Sequence, residues 1–182
     1  MRIFIGETRR VVTLESFGIV IKLPRVYVRG SIWSLCNSAS SLKFLWSNLW
    51  WSSEIHSSVR WFLFRGISHN WHEYRFWRKT RNPFLQPTYF SLLGLINIQK
   101  FGQICVLKDI DVWCQLQEIT ELGCHPDGHT FERAENFVME NDEIRIVDYG
   151  SPGAREIVTK HGDNISRLFD PTYSWEERKR ER

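Results

Sequence analysis

The chain has 182 residues, enough for one domain with a proper core and too few for two comfortable ones. Hydrophobic residues at 42% and charged residues at 25% exclude a wholly disordered, collagen-like or coiled-coil chain. The net charge of +3 conceals a split: residues 1–108 hold 15 Lys and Arg against 4 Asp and Glu, whereas residues 109–182 hold 9 against 17.

In chain order, the first segment reads as short β-branched runs, Ile3 to Ile5, Val11 to Leu14 and Ile19 to Leu23, separated by turns at Gly6-Glu7-Thr8-Arg9-Arg10 and Ser16-Phe17-Gly18. This pattern predicts a three-stranded antiparallel meander ended by Pro24. Residues 31–66 are rich in Trp, Leu and Ser without strand alternation, which suggests one or two short helices joined by a Ser-rich connection near 37–41. A basic, aromatic helix is expected from about His69 to Thr80, with Ser68 as its N-cap and Asn82-Pro83 as its stop.

Apolar runs at Tyr89 to Leu95, Ile96 to Lys100 and Ile104 to Leu107 predict two or three further strands. Ile110 to Leu122 has apolar residues at helical spacing, and Gly123 reads as its stop. Asn136 to Met139 and Ile144 to Val147 flank the turn Glu140-Asn141-Asp142-Glu143 and form the clearest hairpin of the chain. The charged end, through Glu176 to Arg182, reads as a solvated helix or tail.

Cys36, Cys105, Cys114 and Cys124 lack Cys-x-x-Cys spacing, and the polar turn after Ile5 does not resemble a signal peptide. They read as reduced thiols of a cytoplasmic protein. The aromatic stretch from Phe44 to Leu63 is interrupted by Ser, Asn, Glu, His and Arg, so no transmembrane helix is expected.

The hairpin carries the chemistry. It ends in Asp148-Tyr149-Gly150, and its other strand begins twelve residues earlier at Asn136. Pairing brings the start of one strand beside the end of its partner, so an amide oxygen and a carboxylate can face one volume. Such an oxygen pair suits Mg²⁺ on a nucleotide phosphate.

The pattern resembles the protein-kinase-like fold, whose catalytic loop H-R-D-L-x-x-x-N is followed after one hairpin by D-F-G. Here His129 and Asn136 stand seven apart, Ala134-Glu135-Asn136 resembles the P-E-N often found there, and Asp148-Tyr149-Gly150 takes the place of D-F-G. The resemblance implies that Asn136 and Asp148 hold Mg²⁺ and that His129 hydrogen-bonds the backbone near Asp148. It also places Lys22, in Ile19-Val20-Ile21-Lys22, at the phosphate-binding lysine on the third strand. Glu73, on the helix that follows, has no Lys or Arg three or four residues away. If buried it needs a distant partner, and Lys22 would complete the family's lysine–glutamate pair.

The likeness fails at three places. Phe131 occupies the position of the catalytic Asp and cannot accept a proton. The opening turn has one glycine rather than three, with Arg9 and Arg10 as substitutes by charge, and only 32 residues follow Gly150. Asp127, nine before Asn136, and Glu132, four before it, are the candidate replacement bases.

The expectation is therefore an α+β chain with a minimal kinase-like fold: one domain, with a basic N-lobe-like part over 1–108, a catalytic-loop-like part over 109–170 and a charged tail over 171–182. It would bind ATP and Mg²⁺ as a phosphotransferase or pseudokinase acting on, or binding, a protein partner. The competing readings are a non-catalytic interaction or inhibitor protein and a nucleic-acid-binding module. For the Trp/Arg-rich stretch from Trp46 to Arg81, three roles stand side by side. Its aromatics pack a core; or Trp71, Tyr74 and Trp77 stack bases while Arg75, Arg78, Lys79 and Arg81 meet phosphates; or Trp50, Trp51, Trp61, Phe62 and Phe64 enter a membrane interface. His125, Asp127 and His129 beside Cys124 also raise a zinc site.

Overall fold

The computed structural model describes residues 1–6, 8–38 and 59–181. The chain divides into two compact units, Met1–Tyr74 with Tyr89–Gln99, and Arg75–Thr88 with Lys100–Arg182. The secondary structure is mixed α and β, with two sheets and six α-helices among the described residues.

In the first unit the predicted meander forms as β1 (Arg2–Ile5), β2 (Arg9–Leu14) and β3 (Ile19–Pro24), paired antiparallel with Arg2 opposite Thr13 and Arg9 opposite Pro24. Pro24 ends the ladder, where a missing N–H costs nothing. Arg9 and Arg10 lie within β2 rather than in the turn before it. β4 (Thr88–Leu92) and β5 (Ile96–Lys100) complete a sheet in the order β1-β2-β3-β5-β4. The third apolar run yields only the two-residue β6 (Gln103–Ile104).

Two helices follow β3. The first, α1 (Val28–Ser38), begins earlier than residue 31, and the proposed Ser-rich connection falls largely outside the described residues. The second, α2 (Val59–Thr80), starts ten residues before His69, so Ser68 is an interior residue and not a cap. Tertiary anchoring explains the extension. The Phe62 carbonyl accepts from Tyr27 N at 3.0 Å, and Gly66 lies so close to the sheet that a Cβ there would come within 2.3 Å of the Thr8 carbonyl. These contacts outweigh the local preference of serine for a cap.

The second unit holds an apolar core. Phe84, Leu85, Phe131, Phe137, Ile144 and Ile146 are among its wholly buried members. β6, β7 (Phe137–Glu140) and β8 (Glu143–Ile146) form an antiparallel sheet in that order. The hairpin closes through Asn141 and Asp142, both left-handed (φ 51° and 64°), a two-residue turn whose twist matches the strands.

Three helices pack on this core. α3 (Asp109–Ile119) ends three residues before Leu122 and is not stopped by glycine, since the left-handed positions after it are Glu121 and Leu122. Gly123 is required for another reason: a Cβ there would stand 2.7 Å from His161 Nε2. α4 (Gly128–Phe131) is one turn, and α5 (Pro152–Leu168) presents Ala154, Ile157, Val158 and Ile165 inward. The charged end forms α6 (Trp175–Glu181), which is docked rather than simply solvated. Trp175 N donates to Asp111 at 2.9 Å, and Lys108 pairs with Glu176 at 3.0 Å.

Candidate functional site

In the first unit, sheet alternation decides which charges turn inward. Arg9, Val11 and Thr13 share one face of β2, and Lys22, opposite Val11, lies on that same face of β3. Arg9 and Lys22 are 6% and 4% exposed and both reach Glu73 of α2, which is wholly buried. Lys22 Nζ lies 2.9 Å from Glu73 Oε2, and Arg9 Nη1 lies 2.5 Å from Oε1. Each carboxylate oxygen thus has its own cation, the condition under which a buried ion pair is tolerable.

Asn70, one turn before Glu73, fastens the arrangement. Its amide donates to the carbonyls of Gly94 at 2.9 Å and Lys22 at 3.3 Å, and its oxygen accepts from Arg9 at 3.4 Å. Asn97 of β5 donates to the Asn70 carbonyl at 2.6 Å. The strand-to-helix pairing of Lys22 with Glu73 was legible in the sequence, but the second cation was not. Arg9 was expected as a phosphate-binding substitute in the opening turn. It is instead buried against Glu73, and of the two arginines only Arg10 is exposed.

In the second unit the hairpin positions Asn136 and Asp148. Phe137 stands opposite Ile146, and the Asn136 carbonyl accepts from Val147 N at 2.9 Å, so the ladder runs one rung past the strands. Asp148 follows that rung and is half-buried. The Asn136 amide donates to the Thr130 carbonyl at 2.9 Å, which fixes its rotamer. Ala134 N donates to Asp109 at 2.7 Å, so the head of α3 anchors the loop ahead of Asn136. Asn136 and Asp148 offer oxygen donors, the ligand chemistry that Mg²⁺ takes.

Tyr149 is wholly buried and fixed by polar contacts. Its hydroxyl bonds Thr88 at 2.7 Å and the Gln86 carbonyl at 2.8 Å. Arg155 of α5 donates to the Gly150 carbonyl. Ser151 then caps α5, accepting from Ala154 N at 3.1 Å while its hydroxyl donates to Asp127. Asp127 is thereby tied to the segment that follows Asp148. Glu132 is exposed, with no hydrogen-bond or ionic partner among the described residues.

Other sequence expectations are corrected. His129 is exposed on α4 and is not seated on the backbone near Asp148, whose neighbours are held by Asn136 and Arg155 instead. Phe131 belongs to the core, against Phe84 and Phe137 at ring distances of 6.5 and 5.9 Å. Cys124 is buried, touches Thr120, and has its thiol pKa raised by that burial, while His125 and His129 are exposed. Among the described residues no three His, Cys, Asp or Glu gather as a metal site.

Of the Trp/Arg-rich stretch, residues 39–58, with Trp46, Trp50 and Trp51, lie outside the described residues. Arg75, Arg78, Lys79 and Arg81 are exposed, and Arg81 lies over the ring of the buried Trp77 at 3.6 Å. Trp71 and Tyr74 pack on each other at 5.9 Å. No helix of the described residues is long and apolar enough to cross a membrane.

The sequence reading did not single out Ser151, Asp109 or Arg155. Ser151-Pro152 ahead of apolar residues at 154, 157, 158 and 165 is a readable helix start that would have drawn attention to Ser151. Comparisons with protein-family models, curated proteins and solved structures find no match.

Proposed function

We propose that this chain is a reduced protein-kinase-like protein that binds Mg·ATP and engages a protein partner. The observation that carries the reading is the buried ion pair between Lys22 on β3 and Glu73 on α2 at 2.9 Å. Protein kinases hold nucleotide phosphates with a lysine on the third strand fixed by a glutamate of the helix that follows; here the glutamate comes from α2, with α1 lying between it and β3. In the first unit Lys22, positioned by Glu73, would take that role; in the second, Asn136 and Asp148 would hold Mg²⁺, whose charge would offset that of phosphates.

A second reading, a non-catalytic partner-binding scaffold, is favoured by Phe131. The family's base position is occupied by a fully buried core aromatic.

Thermal melting in millimolar Mg·ATP tests the proposal. A ligand at a hundredfold excess over its Kd stabilises by about 2.7 kcal/mol. The wild-type Tm is expected to rise, and Asp148→Ala is expected to abolish the rise. An unchanged wild-type Tm overturns nucleotide binding and leaves the scaffold reading. Retention on nucleic acid that is lost on neutralising Arg75, Arg78 and Lys79 supports a nucleic-acid-binding module instead.

A further inference from the structure

We infer that Ser151 is a phosphate acceptor within this chain and that Asp127 is the base that activates it. The inference rests on the Mg·ATP binding proposed above.

Three observations converge on one segment. The Ser151 hydroxyl donates to Asp127 Oδ2, so the one oxygen that would attack already directs its proton at a carboxylate. Its lone pair accepts from Ala154 N at 3.1 Å, which fixes the rotamer. Ser151 also stands three residues after Asp148, so their Cα atoms are at most about 11 Å apart whatever the turn between them. That turn is rigid: Tyr149 is wholly buried with two hydrogen bonds on its hydroxyl, and Arg155 clamps the Gly150 carbonyl. Asp127 thus replaces the base missing at Phe131 from a different place in the chain, and for an internal rather than an external hydroxyl.

In the transfer, Ser151 Oγ forms a bond to the γ-phosphorus of ATP and its proton passes to Asp127 Oδ2. The bond from that phosphorus to the oxygen bridging the β-phosphate breaks, and ADP leaves with the electron pair. The product carries phosphate at the N-cap of α5, where negative charge is favourable beside backbone N–H groups of the first turn.

The test is incubation of the whole chain with Mg·[γ-³²P]ATP, with intact mass, peptide mapping and a parallel thermal shift. One phosphate per chain is expected, on Ser151, at a first-order rate independent of protein concentration. Ser151→Asn keeps a side-chain cap for α5 and is expected to remove the label. Asp127→Asn is expected to slow labelling by about 10²- to 10⁴-fold, the range of a general base. A Tm shift without label, label on another residue, or Asp127→Asn labelled at the wild-type rate overturns the inference and leaves nucleotide binding standing. Neither shift nor label overturns both.

Discussion

The two units differ in what they bury, although the second also buries Gln86, Thr88, Asp111 and Thr120. Among the described residues, every apolar side chain that is buried lies in the second unit, while the buried side chains of the first are polar, Arg9, Lys22, Asn70, Glu73 and Asn97 among them. The first unit leaves Ile3, Ile5, Trp33 and Leu93 more than half exposed. A core of Phe and Ile is indifferent to small changes of direction and stabilises by area alone. A network of charges and amides works only when each donor meets its acceptor, so it fixes geometry at a cost in desolvation. Among the described residues, the first unit therefore fixes geometry through polar contacts, and the second is stabilised chiefly by apolar area.

The sharpest way to break this contrast is at Glu73. Glu73→Ala removes the carboxylate shared by two buried cations, and removing one partner of such a group costs about 3–5 kcal/mol. Urea unfolding should show it, with loss of amide protection concentrated in β2, β3 and α2. Replacing Arg9, Lys22 and Glu73 together by Met should recover most of that stability, because apolar groups of similar volume can replace a buried ionic cluster at little cost. The triple variant is nevertheless expected to give no Tm response to Mg·ATP. If it responds as wild type does, the cluster is structural only.

In the second unit Phe84→Ala should cost about 3–5 kcal/mol through the cavity it leaves. Protection should be lost at the Gln86 and Ile146 amides, which donate to the carbonyls of Ile146 at 3.0 Å and Phe84 at 2.8 Å. Phe131→Asp asks whether the missing base can be restored in place. Because Phe131 is wholly buried, the expected result is unfolding of this unit and no gain of phosphotransfer.

A smaller change works in the opposite direction. Asp142→Gly relieves a left-handed residue in the β7–β8 turn and produces the Asn-Gly sequence such turns favour. The gain expected is at most about 1 kcal/mol in thermal unfolding.

Elements with local signals were legible. The meander announced itself by β-branched runs, and the β7–β8 hairpin by two apolar runs around Asn-Asp. Pairing of Lys22 with Glu73 was readable because a helix glutamate without local cations must look elsewhere. Arg9 was misread because turn and strand cannot be told apart from Thr-Arg-Arg alone; one residue of register decides whether a side chain faces core or solvent. The start of α2 was misplaced because its first turns are held by contacts with Tyr27 and Thr8 from far along the chain. His129 illustrates the limit of motif spacing: the seven-residue interval is present, yet the intervening α4 leaves the imidazole exposed.

A surface pair in the second unit completes the comparison, since it carries the same charges as the buried cluster in a different medium. Lys108 and Glu176 meet at 3.0 Å with 68% and 62% of their side chains exposed. The hydrogen bond from Lys108, and then its charge, hold the Glu176 carboxyl below its ordinary value of 4.5, and the same bond holds Lys108 above its ordinary 10.5. A depressed carboxyl contributes stability above the ordinary carboxylate value and loses it as pH falls through the folded-state pKa. A raised ammonium contributes below its ordinary value and loses it as pH rises through the folded-state pKa. The pair therefore acts only in the window between them. A Lys108→Met/Glu176→Gln double-mutant cycle should show a small coupling at neutral pH that vanishes in acid and in molar salt, where the Debye length is about 3 Å. The Glu73 cluster, shielded from water, should keep its coupling in the same salt. A salt-resistant Lys108–Glu176 coupling, or a salt-sensitive Glu73 one, would reverse the assignment of which charges in this chain are sheltered enough to position a ligand.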